Sequence, residues 1–171
     1  MGHGMPYYEM WKYLASIQPD YGKAVEGFYN FYSNYAYNGK DYHYGTISVT
    51  DCRKVDNMMQ VLTAINSRYR IGRNVDSNLQ VLDGYRPAAF FDFADYIHRL
   101  CNNNTVLKGQ FDKALAELVP YERHTAMYFS SLTEAGEHII NTCCGLTISA
   151  PSTNAMVINS KPRSRFYASL R

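Results

Sequence analysis

Cysteine and histidine are the residues of this sequence that could together supply a nucleophile and a general base. The four cysteines are Cys52, Cys101, Cys143 and Cys144. A cysteine becomes a nucleophile when a nearby imidazole or a helix N-terminus lowers the pKa of its thiol. Cys52 follows a predicted strand and opens a predicted helix, so it is the best placed of the four, with His43 or His124 as its base. No histidine flanks Cys52 in sequence, however, and a small packing residue between strand and helix is the favoured interpretation.

The spacing of the other reactive residues indicates neither a metal site nor a disulfide. No C-x-x-C pair occurs, and no histidine stands at a zinc-site interval from a cysteine. Cys143 and Cys144 are adjacent and could join only in a strained ring, so we expect free, buried thiols. Asp92 and Asp95 fall at helical spacing on a predicted polar face and do not resemble an acid–base pair. We therefore predict no metal and no cofactor, and no nucleotide-binding or EF-hand motif is present.

The composition is that of a globular protein of modest size. The chain has 171 residues, of which 46% are hydrophobic and 19% are charged, with a formal net charge of +2. Residues 1–171 are expected to form a single domain or part of one. The basic residues are scattered, which argues against nucleic acid as a partner. No apolar run is long enough to span a membrane, and no signal peptide is visible at the start.

Tyrosine is unusually frequent, with 16 copies, many of them between residues 21 and 44. Tyrosines usually pack their rings inward and keep the hydroxyl at the water boundary. The alternative is a non-enzymatic module that binds a peptide or a glycan on exposed rings. Exposed, coplanar rings around Tyr29, Tyr32, Tyr37 and Tyr44 would favour that alternative, and buried rings would disfavour it.

Apolar periodicity predicts helices that alternate with a few strands. The predicted helices are residues 6–16; a segment capped by Asp20 with an apolar face from Val25 to Tyr35; a segment capped by Asp51 with a stripe of Val55, Met58, Met59, Leu62, Ile65 and Tyr69; a segment opened by Pro87 that bears Phe90 and Phe91; and a segment from Phe111 to Leu118. The predicted strands are residues 44–50, 125–129 and 145–150, with a turn at Asn38-Gly39, a loop over 71–86 and brief pairing of 78–82. Three strands make a poor sheet alone, so we expect bare edges that further strands would complete.

Several motifs, taken in order, resemble the clostripain-like cysteine peptidases. They are the run Met1-Gly2-His3-Gly4-Met5-Pro6-Tyr7 with Trp11-Lys12-Tyr13-Leu14, the aromatic segment from Phe28 to Tyr32, the segment from Thr46 to Cys52, the segment from Phe91 to Ile97 and the segment from Gly145 to Pro151. Each motif alone is of modest specificity. Their succession over nearly the whole chain is what carries the resemblance.

The resemblance implies an α/β fold, namely the C-terminal portion of a caspase-like α/β sandwich with a mostly parallel sheet flanked by helices. It implies a His–Cys dyad and cleavage of peptides after Arg or Lys. In the family the dyad precedes the Gly-x-Gly-Met-Pro-Tyr run, so no catalytic residue is assigned here, and the chain alone is expected to be inactive. Gly2, His3, Gly4, Met5 and Pro6 would line the substrate pocket, and the partner would be the N-terminal half that carries the dyad. The family also suggests a secreted or cell-envelope location.

Overall fold

The computed structural model describes residues 4–75 and 78–170. The α-helices are α1 (Gly4–Leu14), α2 (Tyr21–Ser33), α3 (Val55–Tyr69), α4 (Phe93–Cys101), α5 (Thr105–Leu118), α6 (Ala155–Ser160) and α7 (Arg165–Ser169), with 3₁₀ turns at Cys52–Lys54 and Lys161–Arg163. The strands are β1 (Ala36–Tyr37), β2 (Lys40–Asp41), β3 (Thr46–Val49), β4 (Phe91–Asp92), β5 (Tyr121–His124), β6 (Met127–Ser130), β7 (Gly136–Ile139) and β8 (Thr147–Ile148). Within these residues, no helix combines the length and the apolar character needed to cross a bilayer.

The strands form four two-stranded sheets, β1-β2, β3-β5, β4-β8 and β6-β7. All four pairs are antiparallel, and the single parallel contact in the described part of the chain is the bridge between Tyr44 and Met127. The α/β class is confirmed, but a mostly parallel sheet is not what these residues form. Short connections account for two of the pairs, because β1 turns directly into β2 and β6 into β7, and a parallel pair would need a long crossover. Among the described residues, β4 is flanked by β8 on one edge and by residues 80–82 on the other, β6 has a bridge to Tyr44 besides its pairing with β7, and each of the remaining strands has one partner strand.

The core lies where α3, α4 and α5 pack together against β8. Leu62, Ile65, Tyr96, Ile97 and Phe111 are all at most 1% exposed. The hydroxyl of Tyr96 accepts a hydrogen bond from the Gly72 N–H at 2.8 Å and donates one to the Arg73 carbonyl at 3.0 Å. Tyr96 therefore connects the loop after α3 to the centre of the core through these two hydrogen bonds.

The predicted helix after Pro87 is wrong at its start. Helix α4 begins at Phe93, and Phe91 belongs to strand β4. The backbone before α4 pairs instead with residues 80–82, since the N–H of Leu82 bonds the carbonyl of Phe90 and the N–H of Asp92 bonds the carbonyl of Gln80. The pairing predicted for residues 78–82 is thus confirmed. Because residues 90–92 take part in this pairing, they cannot be helical.

Asp92 is the residue that starts α4, and it is not on a polar face. It is 0% exposed, and its carboxylate accepts hydrogen bonds from the N–H groups of Asp95 at 2.8 Å and Cys144 at 2.7 Å. One oxygen thereby caps the helix and the other holds the loop before β8. Asp95 does not pair with Asp92 in an acid–base arrangement, because its carboxylate bonds Arg99 and the N–H of Gln80.

Most other predicted elements are confirmed, with shifted ends. The helix cap at Asp20, the Asn38-Gly39 turn and the stop after α4 all occur. Asp51 caps the 3₁₀ turn Cys52–Lys54 instead, and α3 begins at Val55 without a side-chain cap. Val55 is 40% exposed and does not join the core stripe. Strand β5 was not predicted, because its charged sequence lacks apolar alternation and only pairing with β3 holds it extended.

Asp51 makes the 3₁₀ turn that precedes α3 sensitive to acid. Its carboxylate accepts hydrogen bonds from the Arg53 guanidinium and from the Arg53 N–H, which together lower its pKa from 3.8 to about 2. A lowered pKa contributes stability above the unfolded-state value that is lost as the pH falls through the folded-state value. We expect part of the stability loss between pH 4 and pH 2 to disappear in Asp51→Asn and in Arg53→Gln. Urea unfolding across that range measures it, and identical pH profiles in all three proteins would contradict it.

Candidate substrate-binding site

The predicted pocket residues lie at and before the start of α1. Gly4, Met5 and Pro6 form the first turn of this helix, and Gly2 and His3 fall outside the described residues. Helix α1 lies closely on α2, since a Cβ added at Gly27 would stand 3.1 Å from the Glu9 carbonyl oxygen. The glycine permits this approach, and α2 thereby positions the segment that carries the predicted pocket.

The outer face of α1 is aromatic and open. Tyr7, Tyr8 and Trp11 are each 65% exposed. Large aromatic side chains in a contiguous exposed group usually mark a surface that contacts a ligand or another chain segment. The start of α1 therefore stands beside a surface that the described residues leave uncovered.

A basic substrate side chain needs a carboxylate to receive it, and the groove between α1 and α2 does not offer a free one. The groove encloses about 450 Å³ and is lined by Glu9, Lys12, Tyr13, Lys23, Glu26, Gly27, Asn30 and Phe31. Glu9 forms an ion pair with Lys12, and Glu26 forms one with Arg123 at 2.7 Å. Because both carboxylates of the groove already have cationic partners, this groove is a poor receptor for arginine.

The tyrosine-rich region packs against itself and against β6. Ring contacts run from Phe28–Tyr32, with centroids 4.8 Å apart, through Phe31, Tyr35 and Tyr42 to Tyr44–Phe129 at 5.8 Å. Tyr29, Tyr32 and Tyr44 are half-buried, and Tyr37 is 56% exposed on the β1-β2 hairpin. Most of these ring pairs are tilted or edge-to-face. The geometry is that of packing and does not support the peptide- or glycan-binding platform.

Two tyrosine hydroxyls in this region are held in their neutral form. Burial raises the pKa of Tyr32, and the neighbouring Tyr7 and Tyr35 add to the effect. A hydrogen bond from the Tyr44 hydroxyl to the Glu137 carboxylate raises the pKa of Tyr44 to about 12. Tyr44 thereby links the aromatic segment to strand β7.

Cys52 does not form a nucleophile–base pair in the described parts of the chain. It is exposed at the first residue of a 3₁₀ turn, whereas we expected a buried thiol. No hydrogen bond joins its sulfur to His43 or His124 within residues 4–75 and 78–170, and the Nδ1 of His124 lies 2.9 Å from a Glu122 oxygen instead. The hypothesis of an enzyme built on Cys52 is therefore not supported.

The structure instead brings Cys143 to His124 and Glu122. One ligand atom from each of the three lies within 4.8 Å of the others. Burial raises the pKa of the Cys143 thiol to about 12, with Glu122 and Asp92 acting in the same direction. A thiol held protonated in this way is the opposite of an activated nucleophile. Sequence reasoning missed the group because β5, which places Glu122 and His124 on one face, was not predicted.

Known structures resemble this chain over almost its whole length. A clostripain from Bacteroides thetaiotaomicron ATCC 29148, in complex with the peptide inhibitor BTN-VLTK-AOMK, is 40% identical, covers 99% of this chain and 72% of its own, and has a TM-score of 0.85. A secreted C11 cysteine protease from Bacteroides thetaiotaomicron, iotapain, is 39% identical over 98% of this chain, with a TM-score of 0.84. This chain spans 45% of the length of the iotapain chain.

A more distant structure agrees in fold alone. An inactive zymogen of a C11 protease from Parabacteroides distasonis is 19% identical, with a TM-score of 0.80 over 99% of this chain. No family model and no curated protein matches the sequence.

Proposed function

Because this chain belongs to the clostripain family of C11 cysteine peptidases and has their caspase-like fold, we propose that it is the C-terminal part of an endopeptidase that cleaves after Arg or Lys. Its residues 1–171 act as one part-domain. The His–Cys dyad belongs to the N-terminal half of the peptidase, with which this chain assembles. The role of this chain is to complete the scaffold and to form a wall of the substrate pocket.

The main support for placing the dyad outside this chain is the burial and the thiol pKa of its cysteines. Cys101 is fully buried, and burial raises the pKa of its thiol. Burial also raises the pKa of Cys143 to about 12 and that of Cys144 to about 11. Cys52 is exposed and lacks a histidine partner among the described residues. A cysteine peptidase needs a thiolate next to an imidazole. Cys143 lies near His124, but its thiol is held protonated, so none of the four cysteines offers a thiolate beside an imidazole.

The uncovered aromatic face of α1 supports assembly with another part of the enzyme. A surface of Tyr7, Tyr8 and Trp11, each 65% exposed, would lose its contact with water when an N-terminal part packs on it. The same packing would place the dyad near the segment from Gly2 to Pro6. The strand edges without partners are a second surface that such a part could extend.

Specificity for a basic residue has support from the relative with the bound inhibitor. The peptide in that inhibitor, VLTK, ends in lysine. In the α1–α2 groove of this chain, Glu9 and Glu26 already have cationic partners. We propose that the carboxylate that receives the substrate cation comes from the N-terminal part, while Gly2–Pro6 supply the wall beside it.

The chemistry follows from these roles. Binding of the basic side chain holds the scissile carbonyl next to the cysteine thiolate of the dyad. The thiolate attacks this carbonyl and forms an acyl-enzyme, while the dyad histidine passes a proton to the leaving amine. Hydrogen-bond donors directed at the developing oxyanion lower the barrier further. This chain contributes the position of the substrate and none of the bond-breaking groups.

The isolated 171-residue chain should not hydrolyse arginyl or lysyl amide substrates. Fluorogenic amides detect turnover, and the chain co-produced with a segment carrying the His–Cys dyad is the positive control. Turnover by the pure chain that disappears in Cys52→Ala would overturn the assignment of the dyad to another segment.

The pocket role of the Gly2–Pro6 segment is tested in the assembled enzyme. His3→Ala should raise KM for an arginyl amide several-fold. It should leave the rate at which iodoacetamide alkylates the dyad cysteine unchanged. An unchanged KM, or a change confined to the alkylation rate, would show that His3 does not line the substrate pocket.

A further inference from the structure

Three different metal-ligating side chains meet between strand β5 and the loop before β8. Glu122 and His124 are two residues apart on β5, so their side chains leave the same face of the strand. Cys143 reaches that face from the loop. A carboxylate oxygen, a ring nitrogen and the thiol sulfur all lie within 4.8 Å of one another.

These separations are close to those of a small tetrahedral metal site. Zinc binds sulfur at about 2.3 Å and nitrogen or oxygen at about 2.0–2.2 Å, so tetrahedral ligand atoms stand about 3.4 Å apart. In this structure the His124 Nδ1 and the Glu122 Oε1 are 2.9 Å apart. The largest approach that zinc binding requires is therefore about 1.4 Å, the difference between 4.8 Å and about 3.4 Å.

The backbone around the cluster is held in place independently of any ion. The Ser48 hydroxyl donates a hydrogen bond to the Gly145 carbonyl at 2.7 Å. Gly145 has a φ of +82°, and a Cβ there would stand 2.6 Å from the Ser48 Cβ and 3.0 Å from the Glu122 Cγ. Glycine thus lets the loop lie directly on β3 and β5. The backbone that carries the ligands is therefore already in place, which lowers the free-energy cost of binding an ion.

Charge and access also suit a cation. Glu122 is a carboxylate ligand, and the buried Asp92 is close enough to act electrostatically on Cys143. A cleft of about 250 Å³, lined by Glu122 and Cys143 together with Ser48 and Thr147, opens onto the cluster. That volume admits an ion and a water molecule as a fourth ligand.

We propose that Cys143, His124 and Glu122 form a zinc-binding site that joins strand β5 to the loop before β8. A thiolate, an imidazole and a carboxylate with one open position are a ligand set that zinc accepts. Binding forms one bond from each ligand to Zn²⁺, and the proton of the Cys143 thiol leaves to solvent. The zinc site uses none of residues 2–6, and its test does not depend on the proposed peptidase role.

The test is a titration of the reduced, chelator-treated chain with Zn²⁺, and with Co²⁺ as a spectroscopic substitute. We expect one Zn²⁺ per chain, a rise in Tm with Zn²⁺ concentration, and a thiolate-to-cobalt charge-transfer band. Loss of a group that merely supports a ligand weakens metal binding by about 10-fold or more. Cys143→Ser and His124→Gln should each therefore reduce zinc affinity at least about tenfold and abolish the rise in Tm.

Cys52→Ser and His43→Gln are the matched controls, because they remove an exposed cysteine and an exposed histidine outside the cluster. Both should bind zinc like the parent chain. If Cys143→Ser does not fold, Glu122→Gln and His124→Gln decide the matter. Absence of saturable binding, a cobalt spectrum without a thiolate band, or equal affinity in the cluster variants and the controls would overturn the site.

Discussion

Asp92→Ala is expected to destabilise the chain by about 3 kcal/mol, because it removes a helix cap and leaves two backbone donors without a partner. The Asp92 carboxylate accepts from the N–H of Asp95 at 2.8 Å and from that of Cys144 at 2.7 Å. Asp92 itself is 0% exposed, so water cannot readily replace it. Urea unfolding followed by circular dichroism gives the free energy of unfolding.

Asp20→Ala is the matched control for this prediction. Asp20 also caps a helix, accepting from the Lys23 N–H at 2.9 Å, but it is exposed. Its loss should reduce the free energy of unfolding by only about 1 kcal/mol. Asp92→Asn keeps one of the two acceptors and should fall between the parent chain and Asp92→Ala. Equal effects of Asp92→Ala and Asp20→Ala would show that burial of the cap is unimportant.

Gly84→Ala should destabilise the chain by about 1–3 kcal/mol through overpacking. A Cβ at Gly84 would stand 2.6 Å from the Ser130 Cβ and 3.0 Å from the Glu134 carbonyl oxygen, and would overlap the Ser130 hydroxyl. Ser130 is 6% exposed on β6 and cannot swing away into solvent. The free energy of unfolding measures the effect.

Ser130→Gly tests the cause of that loss, because it removes the side chain that the new methyl group would meet. The double variant Gly84→Ala/Ser130→Gly should be more stable than the sum of the single effects predicts, which is a favourable coupling. Gly109→Ala is the opposite control, since nothing lies within 4 Å of its Cβ position on helix α5. It should stabilise the helix by up to about 1 kcal/mol. Destabilisation by Gly109→Ala, or strict additivity in the double variant, would contradict overpacking as the cause.

Local patterns predicted the long helices and the cap of α2. The stripe that includes Met58, Leu62 and Ile65 is buried in α3, and Asp20 caps α2 as expected. The fold class and the peptidase family also followed from the order of motifs, and the comparisons confirm both. The helix placed after Pro87 was wrong because the backbone there pairs with residues 80–82, which local periodicity does not report.

The amino-acid sequence by itself determined the main helical segments, the cap at Asp20 and the family, because each depends on neighbours a few positions apart or on the order of short motifs. Only the tertiary structure decided that β5 pairs with β3, that Asp92 is a buried cap, and that Cys143 meets His124 and Glu122. Those features join residues far apart in the chain. Such contacts depend on how whole elements pack, and no local spacing encodes them.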